Sequence, residues 1–236
     1  MIVAIHQPQY LPWVPYLDKL ACCDLFVYLD NVQFQKNGLQ NRNQIKGTTG
    51  AQWLTVPVHA TLSHTVGQTR IADARWRTKH IKSVETNYAR ARYASWFREE
   101  LRPILEREWV VLADLNIAVT DCLLKWFGIS CKRLRASELG VDGKADELVV
   151  NICSAVGADV YLSGRGARNY QDETKFYRRG IEVRYQSYEN QLYEQCYPEI
   201  GFLPNLSALD LVLNAGPQAR NIMLAGRDLS TLNGSS

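Results

Sequence analysis

The sequence predicts an α/β fold, with a parallel sheet, helices on both faces of the sheet and a helical insertion. Short apolar runs alternate with amphipathic segments in both halves of the chain, and such runs are typical of strands that are buried on both faces of a parallel sheet. Hydrophobic residues make up 46% and charged residues 22% of the 236 residues, as in ordinary globular proteins. At this length we expect one domain over residues 1–236.

The first elements form a predicted unit of strand, helix and strand. Residues 1–5 are a short apolar run, which predicts a buried strand that ends at His6. Pro15 suits the first turn of a helix, so we expect a helix over residues 16–21. Residues 25–29 predict a second buried strand, parallel to the first after a right-handed crossover.

A long polar segment follows at residues 30–50, before strand character returns at residues 53–58. Loops of more than about 12 to 15 residues tend to be functional or disordered, and the regular placement of large side chains argues here against disorder. We interpret the segment as a substrate-facing loop or hairpin. A solvated hairpin without a ligand is the alternative.

Helical spacing begins at about residue 75. Trp76, His80 and Val84 recur every four residues, and residues 112–127 form a further amphipathic pattern. The segment at about 75–128 is therefore predicted to be mainly helical. The second half of the chain is again α/β, with predicted strands at residues 129–134, 159–162 and 181–185, helices at 144–156 and 205–214, and a frayed tail at 232–236.

The charges of the chain nearly balance, with 27 Lys and Arg against 24 Asp and Glu and a formal net charge of +3. This balance produces no strong field that favours nucleic acid, so no nucleic-acid partner is expected. No stretch approaches the roughly 20 apolar residues of a membrane span, and the N-terminus lacks the pattern of a signal peptide. We therefore expect a cytoplasmic protein without a membrane span.

The six cysteines include no CxxC pair and predict neither a zinc site nor a thioredoxin-like motif. Most are expected to be small core residues, and Cys196, in a polar and aromatic stretch, is the best candidate for a nucleophile. His59 and His64 have no carboxylate or cysteine at ligand spacing. No metal site is expected.

Ligands of open α/β sheets bind outside the carboxyl ends of the strands, and three polar clusters follow predicted strands here. They are residues 6–10, residues 30–31 with the following loop, and residues 163–170. His6 combines a strand end with a pKa range suited to proton transfer, and a structural histidine that caps the turn is the alternative. Tyr10 and His80 are the other predicted catalytic residues, although aromatic residues at helical spacing are more often core.

The clusters and the loop also supply the predicted substrate-binding residues. Amide, guanidinium and ammonium groups in the loop suit a phosphate, a carboxylate or a sugar. Backbone amides in the Ser-Gly-Arg-Gly segment at residues 163–166 can form an anion nest, and a structural tight turn is the alternative. The predicted binding residues are Gln7, Gln9, Asp30, Lys36, Gln40, Asn41, Arg42, Trp76, Ser163, Gly164, Arg165, Arg168 and Asn169.

Six motifs together resemble the bacterial WbqC-like family. They are His6-Gln-Pro-Gln-Tyr-Leu-Pro-Trp13, Asp30-Asn-Val-Gln-Phe34, Gln40-Asn-Arg-Asn43, Trp53-Leu-Thr-Val-Pro57, Tyr161-Leu-Ser-Gly164 and Leu206-Ser-Ala-Leu-Asp210. The resemblance covers nearly the whole chain. It implies a place in the assembly of O-antigen, other surface glycans or secondary metabolites.

The same resemblance implies an enzyme that transfers an acyl or aminoacyl group, glycyl for example, to an amine and so forms an amide. The implied acceptor is an amino sugar or small metabolite, presented as a small molecule or a nucleotide sugar. The favoured donor is a thioester of coenzyme A or of an acyl carrier protein, which would then be a partner. An ATP-derived donor is the alternative.

A more distant similarity links the first strand and helix to the nucleotidylyltransferase and pantothenate synthetase group and implies a Rossmann-like (HUP-like) sheet. In that group the strand ends in His-x-Gly-His, whereas Pro8 and Gln9 stand here in place of the glycine and the second histidine. The close backbone approach to phosphate that glycine permits is thereby lost. The alternatives to acyl transfer are a HUP-like nucleotidyltransferase or ATP-dependent ligase, and a non-catalytic glycan or carrier-protein binding module with Trp13, Trp53 and Trp76 in one groove.

Overall fold

The computed structural model describes residues 1–59 and 64–228, and the predicted frayed tail at residues 232–236 lies outside them. The strands are β1 (Ile2–His6), β2 (Leu25–Tyr28), β3 (Arg42–Gly47), β4 (Gly50–Thr55), β5 (Val58–His59), β6 (Arg70–Ile71), β7 (Lys132–Arg135), β8 (Val160–Gly164) and β9 (Glu182–Gln186). The helices are α1 (Val14–Ala21), α2 (Arg75–Asn87), α3 (Ala94–Trp96), α4 (Arg102–Glu106), α5 (Leu112–Trp126), α6 (Asp146–Ala155), α7 (Glu173–Tyr177), α8 (Ala208–Ala215) and α9 (Ala219–Ala225).

Five parallel strands form the central sheet in the order β7, β2, β1, β8, β9. In β1, Val3 pairs with Leu25 of β2 on one side and with Tyr161 of β8 on the other. The chain therefore builds one half of the sheet through β2 and β7, and returns to build the other half from β8. The strand order reverses between β1 and β8, and open α/β sheets bind ligands at such a switch point. The predicted Rossmann-like α/β sheet is confirmed.

Each face of the sheet has its own hydrophobic core. Along β1, Val3 and Ile5 belong to one core and Ala4 to the other, because successive side chains of a strand point to opposite faces. α6 and α7 cover the face of Val3 and Ile5, with Ile152 and Phe176 fully buried. α1, α5, α8 and α9 pack into the core on the face of Ala4. Helices thus lie on both faces of the sheet, as predicted.

The long polar segment ends in an antiparallel hairpin of β3 and β4, in which Ile45 pairs with Gln52. Ile45 and Leu54 are fully buried and anchor the hairpin in the core that contains Ala4. The strand expected at residues 53–58 therefore begins earlier, at Gly50, because it pairs with polar β3. β5 and β6 form a second, short antiparallel pair.

The predicted helical segment contains α2, α5 and, between them, a helix that includes one π-helical turn. α3, a π-helical turn at Phe97–Leu101 and α4 continue one another without a break. α2, α5 and the helix between them contribute to the core that contains Ala4. That this segment is an insertion, and that residues 1–236 are one domain, stay predictions.

Local capping explains two boundaries that differ from expectation. The Ser207 hydroxyl accepts the N–H of Leu209 at 3.2 Å, so α8 begins at Ala208 rather than at residue 205. Pro15 occupies the first turn of α1, which begins at Val14, two residues before the expected start. In residues 1–59 and 64–228, no helix has the length and apolar character needed to cross a membrane.

Candidate active site

A cleft of about 770 Å³ lies at the carboxyl ends of β1 and β8, the switch point of the sheet. His6 and Gln7 lead from β1 into the cleft, and Ser163 and Gly164 end β8 beside it. α1 and the first turn of α6, which pack on opposite faces of the sheet, complete the walls. The first and third predicted polar clusters therefore meet in one place.

His6 lines the cleft, and within the described residues one of its ring nitrogens has no hydrogen-bond partner and can accept a proton. Its Nδ1 lies 3.1 Å from the backbone oxygen of Gln7, and since a carbonyl only accepts, Nδ1 carries the proton. The lone pair of the neutral ring is then on Nε2. Burial and, secondarily, the charge of Lys19 lower the pKa of His6 to about 4, against the opposing bond to Gln7. The imidazole is therefore a neutral acceptor near pH 7.

Side chains from distant elements fix the backbone that follows His6. The Gln7 oxygen also accepts from the Tyr16 hydroxyl at 3.3 Å. The next carbonyl, that of Pro8, accepts from Nδ2 of Asn116 in α5 at 3.2 Å. A buried carbonyl that lost such a donor would be left unsatisfied at a cost of about 1 to 3 kcal/mol. These bonds orient the peptide that in turn holds the imidazole of His6.

The same turn contains a backbone conformation that is costly for its residue. Leu11 has a φ of 44°, in the left-handed region that side chains with a Cβ rarely adopt. Its carbonyl accepts from Nδ2 of Asn43 at 2.6 Å, and the N–H of Tyr10 donates to the Leu39 oxygen at 3.2 Å. Strain of this kind persists where the surrounding structure over-determines it, and it clusters at functional sites. The turn is therefore held in one shape against its local preference.

Lys19 is a buried cation deep in the cleft. It belongs to α1, its residue is 3% exposed, and it lines the cleft beside the end of β8. A Cβ placed on Gly164 would lie only 3.3 Å from the Lys19 Nζ. Within the described residues, Lys19 Nζ has no carboxylate or hydrogen-bond partner. Burial lowers the pKa of Lys19 to about 8, with nearby cysteines opposing the shift.

The carboxylate next to Lys19 in sequence is engaged elsewhere. Asp18 is fully buried, and its oxygens accept from Nε of Arg227 and Nε2 of Gln186, each at 2.8 Å. Burial, followed by the negative charge of Asp18, raises the pKa of Cys22 to about 12, so this thiol is neutral. Lys19 therefore keeps an uncompensated positive charge.

The segment after β8 gives the cleft a wall of backbone. The Ser163 hydroxyl donates to Oε1 of Gln171 at 2.9 Å, so it is already engaged. A 3-10 turn at Arg165–Asn169 follows Gly164 directly, and the first amides of such a turn have no acceptor within it. Arg165, Gly166 and Ala167 line the cleft. A ligand at this segment stays a prediction.

The wall that belongs to β2 and α6 is mainly apolar. Leu29 and Val32 follow β2, and Leu148 and Val149 come from the first turns of α6. Tyr161 of β8 lines the cleft as well and belongs to the same hydrophobic core. Ligand pockets of several hundred Å³ commonly combine such apolar surface with a few placed polar groups. The cleft thus has one polar, cationic side and one side suited to a hydrocarbon or thioether chain.

Part of the predicted site lines this cleft. The lining residues among those predicted are His6, Gln7, Ser163, Gly164 and Arg165. Arg168 and Asn169 are exposed on the same turn but do not line the cleft, and the Arg168 guanidinium lies 5.7 Å from the ring of Tyr185. Gln9 is buried outside the cleft.

Tyr10, His80 and Trp76 lie together in the core, away from the cleft. The Tyr10 hydroxyl is 2.9 Å from Nδ1 of His80, and Trp76 packs edge-on against both rings. His80 also bonds to the backbone of Thr55, which opposes the lowering of its pKa to about 4 by burial. Both ring nitrogens are therefore satisfied within the protein. Catalysis by Tyr10 or His80 and substrate binding by Trp76 stay predictions.

Asp30 follows β2 but points its carboxylate into the protein. Its two oxygens accept from the N–H and the hydroxyl of Ser137, at 2.9 and 2.8 Å. The residue is 1% exposed and does not line the cleft. This bond pattern ties the end of β2 to the segment after β7.

The polar residues of the loop satisfy the loop itself. Gln40 accepts a backbone amide of the loop at 2.9 Å, and Asn41 donates to a backbone carbonyl at 2.9 Å. Arg42 donates to a loop carbonyl at 2.5 Å and lies over the ring of Trp53, 4.4 Å from its centre. Lys36 is exposed, and none of the four lines the cleft. Substrate binding by these residues stays a prediction.

Cys196 and two of the three tryptophans proposed for a common groove lie apart from the cleft. Cys196 Sγ donates to Asn214 at 3.3 Å, and burial raises the pKa of its thiol. Trp13 lines the cleft, but Trp53 is exposed on the β3–β4 hairpin and Trp76 is in the core, so they form no common groove. Across the part of the chain that the structure describes, no three His, Cys, Asp or Glu side chains are grouped to hold a metal ion.

Sequence reasoning missed Lys19. Leu17 and Leu20 on either side of it are fully buried, and a lysine inside so apolar a helix is a signal in itself. Lysine is almost never fully buried unless it is paired. Its direction toward Gly164 depends on how α1 sits against β8, some 140 residues later in the chain.

Comparison with known proteins gives a family and a relative. The sequence model of the WbqC-like protein family matches residues 7–222, which begins one residue after His6 and includes Lys19 and the end of β8. The uncharacterized protein Rv1507c of Mycobacterium tuberculosis is similar, with 35% identity over 222 residues that cover 92% of this chain and 95% of that protein. No solved structure matches the chain.

Proposed function

The chain belongs to the WbqC-like protein family, and we propose that it is an enzyme that forms an amide by acyl or aminoacyl transfer, glycyl for example, in the cleft at His6. The proposed acceptor is the amine of an amino sugar or small metabolite in surface-glycan or secondary-metabolite assembly. One observation supports the proposal above the others: a neutral His6 with a free Nε2 lies at the switch point, in a cleft with one cationic and one apolar side.

Amide formation needs a group that takes a proton from the attacking amine. In the proposed step the amine nitrogen attacks the carbonyl carbon of the donor thioester, a C–N bond forms, and His6 Nε2 takes the proton. The C–S bond then breaks, and the imidazolium returns the proton to the leaving thiolate. One imidazole thus acts first as base and then as acid, a role that histidine commonly fills.

The surroundings of His6 favour direct transfer to the amine. Among the described residues, no cysteine lines the cleft. Ser163 is 1% exposed, and its hydroxyl already donates to Gln171. Among the described residues, neither a cysteine nor the Ser163 hydroxyl is thus arranged as the activated nucleophile of a covalent acyl-enzyme.

The apolar side of the cleft supports a thioester donor. Leu29, Val32 and Leu148 offer surface to an extended, uncharged chain, as the pantetheine arm of coenzyme A or of a carrier protein is. These donors are consistent with the cytoplasmic location that the sequence predicts. The acyl carbonyl would lie near His6 and the arm would follow this wall.

The proposal is tested with glycyl-pantetheine as donor and a nucleotide sugar that carries a free amine as acceptor. Free thiol release and the mass of the amide product report turnover. Replacement of His6 by Ala should lower the rate by roughly 10² to 10⁴-fold, the contribution typical of a general base. His59→Ala, at an exposed histidine outside the cleft, is the matched control and should keep the wild-type rate.

Two results would contradict this assignment. Full activity of folded His6→Ala protein would remove His6 from the reaction. Acyl transfer would be rejected by two negative results together. No amide would form with several acyl and aminoacyl thioesters, and deletion of the protein in cells would leave the acyl groups of the surface glycan in place.

A HUP-like nucleotidyltransferase or ATP-dependent ligase is the second candidate, and Lys19 favours it. A buried ammonium beside β8 suits the phosphates of ATP as well as it suits a phosphate on a thioester donor. This candidate predicts that millimolar ATP raises the Tm, since a ligand that binds only the folded state stabilises it. It also predicts pyrophosphate release, or ADP formation, in the presence of the right acid.

A further inference from the structure

We infer that Lys19 is the phosphate-binding residue of the cleft, and that its ammonium holds a phosphate monoester or diphosphate group of the substrate. The inference rests on the proposed function only in placing a substrate in this cleft, and it does not require acyl transfer. The chemical class of ligand follows from the position and surroundings of Lys19.

The position of Lys19 is unusual for a residue that serves stability alone. It is 3% exposed, yet its Nζ has no carboxylate or hydrogen-bond acceptor within the described residues. Burying an unpaired charge is costly, and buried charges are ordinarily paired. Since Lys19 lines the cleft, a bound anion would supply the missing partner.

The residues around Lys19 leave its charge available. The adjacent carboxylate, Asp18, is bonded to Arg227 and Gln186. Asp146 is the carboxylate among the described lining residues, but it belongs to α6 on the other face of the sheet and accepts the amide of Asp172 at 2.9 Å. The side of the cleft near Lys19 is therefore cationic.

The nearest part of β8 is backbone rather than side chain. A Cβ on Gly164 would come within 3.3 Å of the Lys19 Nζ, so glycine keeps the space around the ammonium open. Arg165, exposed at the rim, adds a second positive charge to the same wall. One deep ammonium with backbone amides nearby suits the compact charge of a phosphate. A carboxylate is more often recognised by the planar fork of arginine.

Isothermal titration calorimetry of the full chain tests the inference directly. The probes are inorganic phosphate, diphosphate, 4′-phosphopantetheine and AMP, with acetate as the carboxylate. We expect the phosphates to bind, and Lys19→Met to weaken them by about 10 to 100-fold, the loss typical of a charge-assisted bond. Lys79→Met, which removes an exposed lysine of α2 outside the cleft, is the matched control and should bind as the wild type does.

Two further measurements separate a binding role from a structural one. Lys19→Met should have a Tm equal to or above that of the wild type, because it removes an unpaired buried charge. Phosphate should also raise the pKa of His6, measured by NMR, in the wild type but not in Lys19→Met, because Lys19 lowers that pKa. If Lys19→Met does not fold, Gly164→Ala serves as the substitute variant. Its added Cβ crowds the Lys19 Nζ and should weaken phosphate binding.

The outcomes divide clearly. Absence of phosphate binding at millimolar concentration, equal binding by Lys19→Met, or equally tight binding of acetate would overturn the inference. Tighter binding of 4′-phosphopantetheine than of AMP supports it with a carrier or coenzyme A phosphate as the source, and the reverse order supports it with a nucleotide. If phosphate binding depends on Lys19 while the His6→Ala protein is fully active, the proposed base is rejected and the phosphate site at Lys19 is retained.

Discussion

The Tyr10 hydroxyl donates to Nδ1 of His80 at 2.9 Å, in the interior of the protein and away from the cleft. Because the other ring nitrogen donates to the backbone of Thr55, both nitrogens are satisfied within the protein, and burial keeps the imidazole in its neutral form. Tyr10 and His80, which the sequence predicts to be catalytic, thus make the hydrogen bonds of a structural pair. It links the turn after β1 to α2 and β4.

His80 should make the stability of the protein fall in acid. Burial lowers its folded-state pKa from 6.5 to about 4, so below pH 6.5 the unfolded chain binds a proton that the folded protein excludes. The free energy of unfolding should therefore decrease as pH falls from 6.5 to 4, by about 3 kcal/mol from this residue. Urea denaturation of the wild type and of His80→Gln at several pH values measures the effect, and the variant should show the shallower dependence.

His59→Gln serves as the control for this experiment. His59 is exposed, so its replacement should leave the pH dependence of stability as it is in the wild type. An equally steep acid dependence in His80→Gln would show that the neutral state of His80 is not what limits stability.

A buried network around Asp210 should contribute strongly to the stability of the fold. Asp210 accepts from Tyr88 and Tyr193 at 2.7 Å and from Gln195 at 2.9 Å, and Lys46 donates to the same glutamine at 3.1 Å. Lys46→Met leaves buried acceptors without their donor and should lower the free energy of unfolding by about 3 kcal/mol. Chemical denaturation measures this loss.

A double-mutant cycle tests whether these groups act together. Lys46→Met and Asp210→Asn should cost less in combination than the sum of the two single changes, because each disrupts the same network. Lys79→Met at an exposed position should cost less than about 0.5 kcal/mol. Strict additivity of Lys46→Met and Asp210→Asn would argue that the two sites are independent.

Asn116 should affect the proposed amide-forming reaction although it lies outside the cleft. Its Nδ2 donates to the carbonyls of Pro8 and Gln40, at 3.2 and 2.7 Å, and so holds the turn after His6. Asn116→Ala should lower kcat by about tenfold or more, since small displacements of a catalytic group are costly, with a smaller change in KM. Steady-state kinetics measures both constants.

Rescue distinguishes this positioning role from simple destabilisation. Asn116→Gln keeps the donor and should recover more activity than stability, while Asn221→Ala at an exposed asparagine should change neither. Equal kcat for wild type and Asn116→Ala, at a temperature where both are folded, would mean that the turn needs no such support.

Two thiols at the other end of the sheet should form a disulfide under oxidising conditions. Cys23 precedes β2 and Cys131 precedes β7, and their sulfurs lie 3.6 Å apart. An approach of roughly 1.5 Å would bring them to bonding distance. Glutathione disulfide would take up the two electrons and two protons and be reduced to two glutathione molecules. Non-reducing peptide mapping should find the Cys23–Cys131 linkage, and finding instead a linkage through Cys153 or Cys122 would contradict the geometry.

The sheet could be predicted because its first two strands have a clear pattern in the sequence itself. Residues 1–5 and 25–29 carry apolar side chains on both faces, as expected of a strand that helices cover on both sides of the sheet. The β3 strand was less predictable, because Arg42, Asn43 and Gln44 belong to an edge hairpin whose polar side chains bond to neighbouring backbone. Its identity as a strand comes from its partner β4.

The site could be predicted only where a residue follows a strand directly. His6 and the pair Ser163 and Gly164 end β1 and β8, so the rule for parallel sheets brings them together. The loop residues Gln40 and Asn41 carry polar groups that would suit a ligand, but these groups bond to nearby backbone instead. Lys19 was not predicted, because its place in the cleft depends on how α1 packs against β8, a strand distant in the chain.

The central place of β1 also governs how the protein can be made. β1 leaves the ribosome long before one of its two partners, β8, which begins only at Val160. Until then one edge of the nascent sheet offers unpaired N–H and C=O groups to other chains, and such long-range pairing slows folding. A nascent or truncated chain that stops before residue 160 carries His6 and Lys19 without the strand that closes their site. Its open edge would make it a substrate for chaperones.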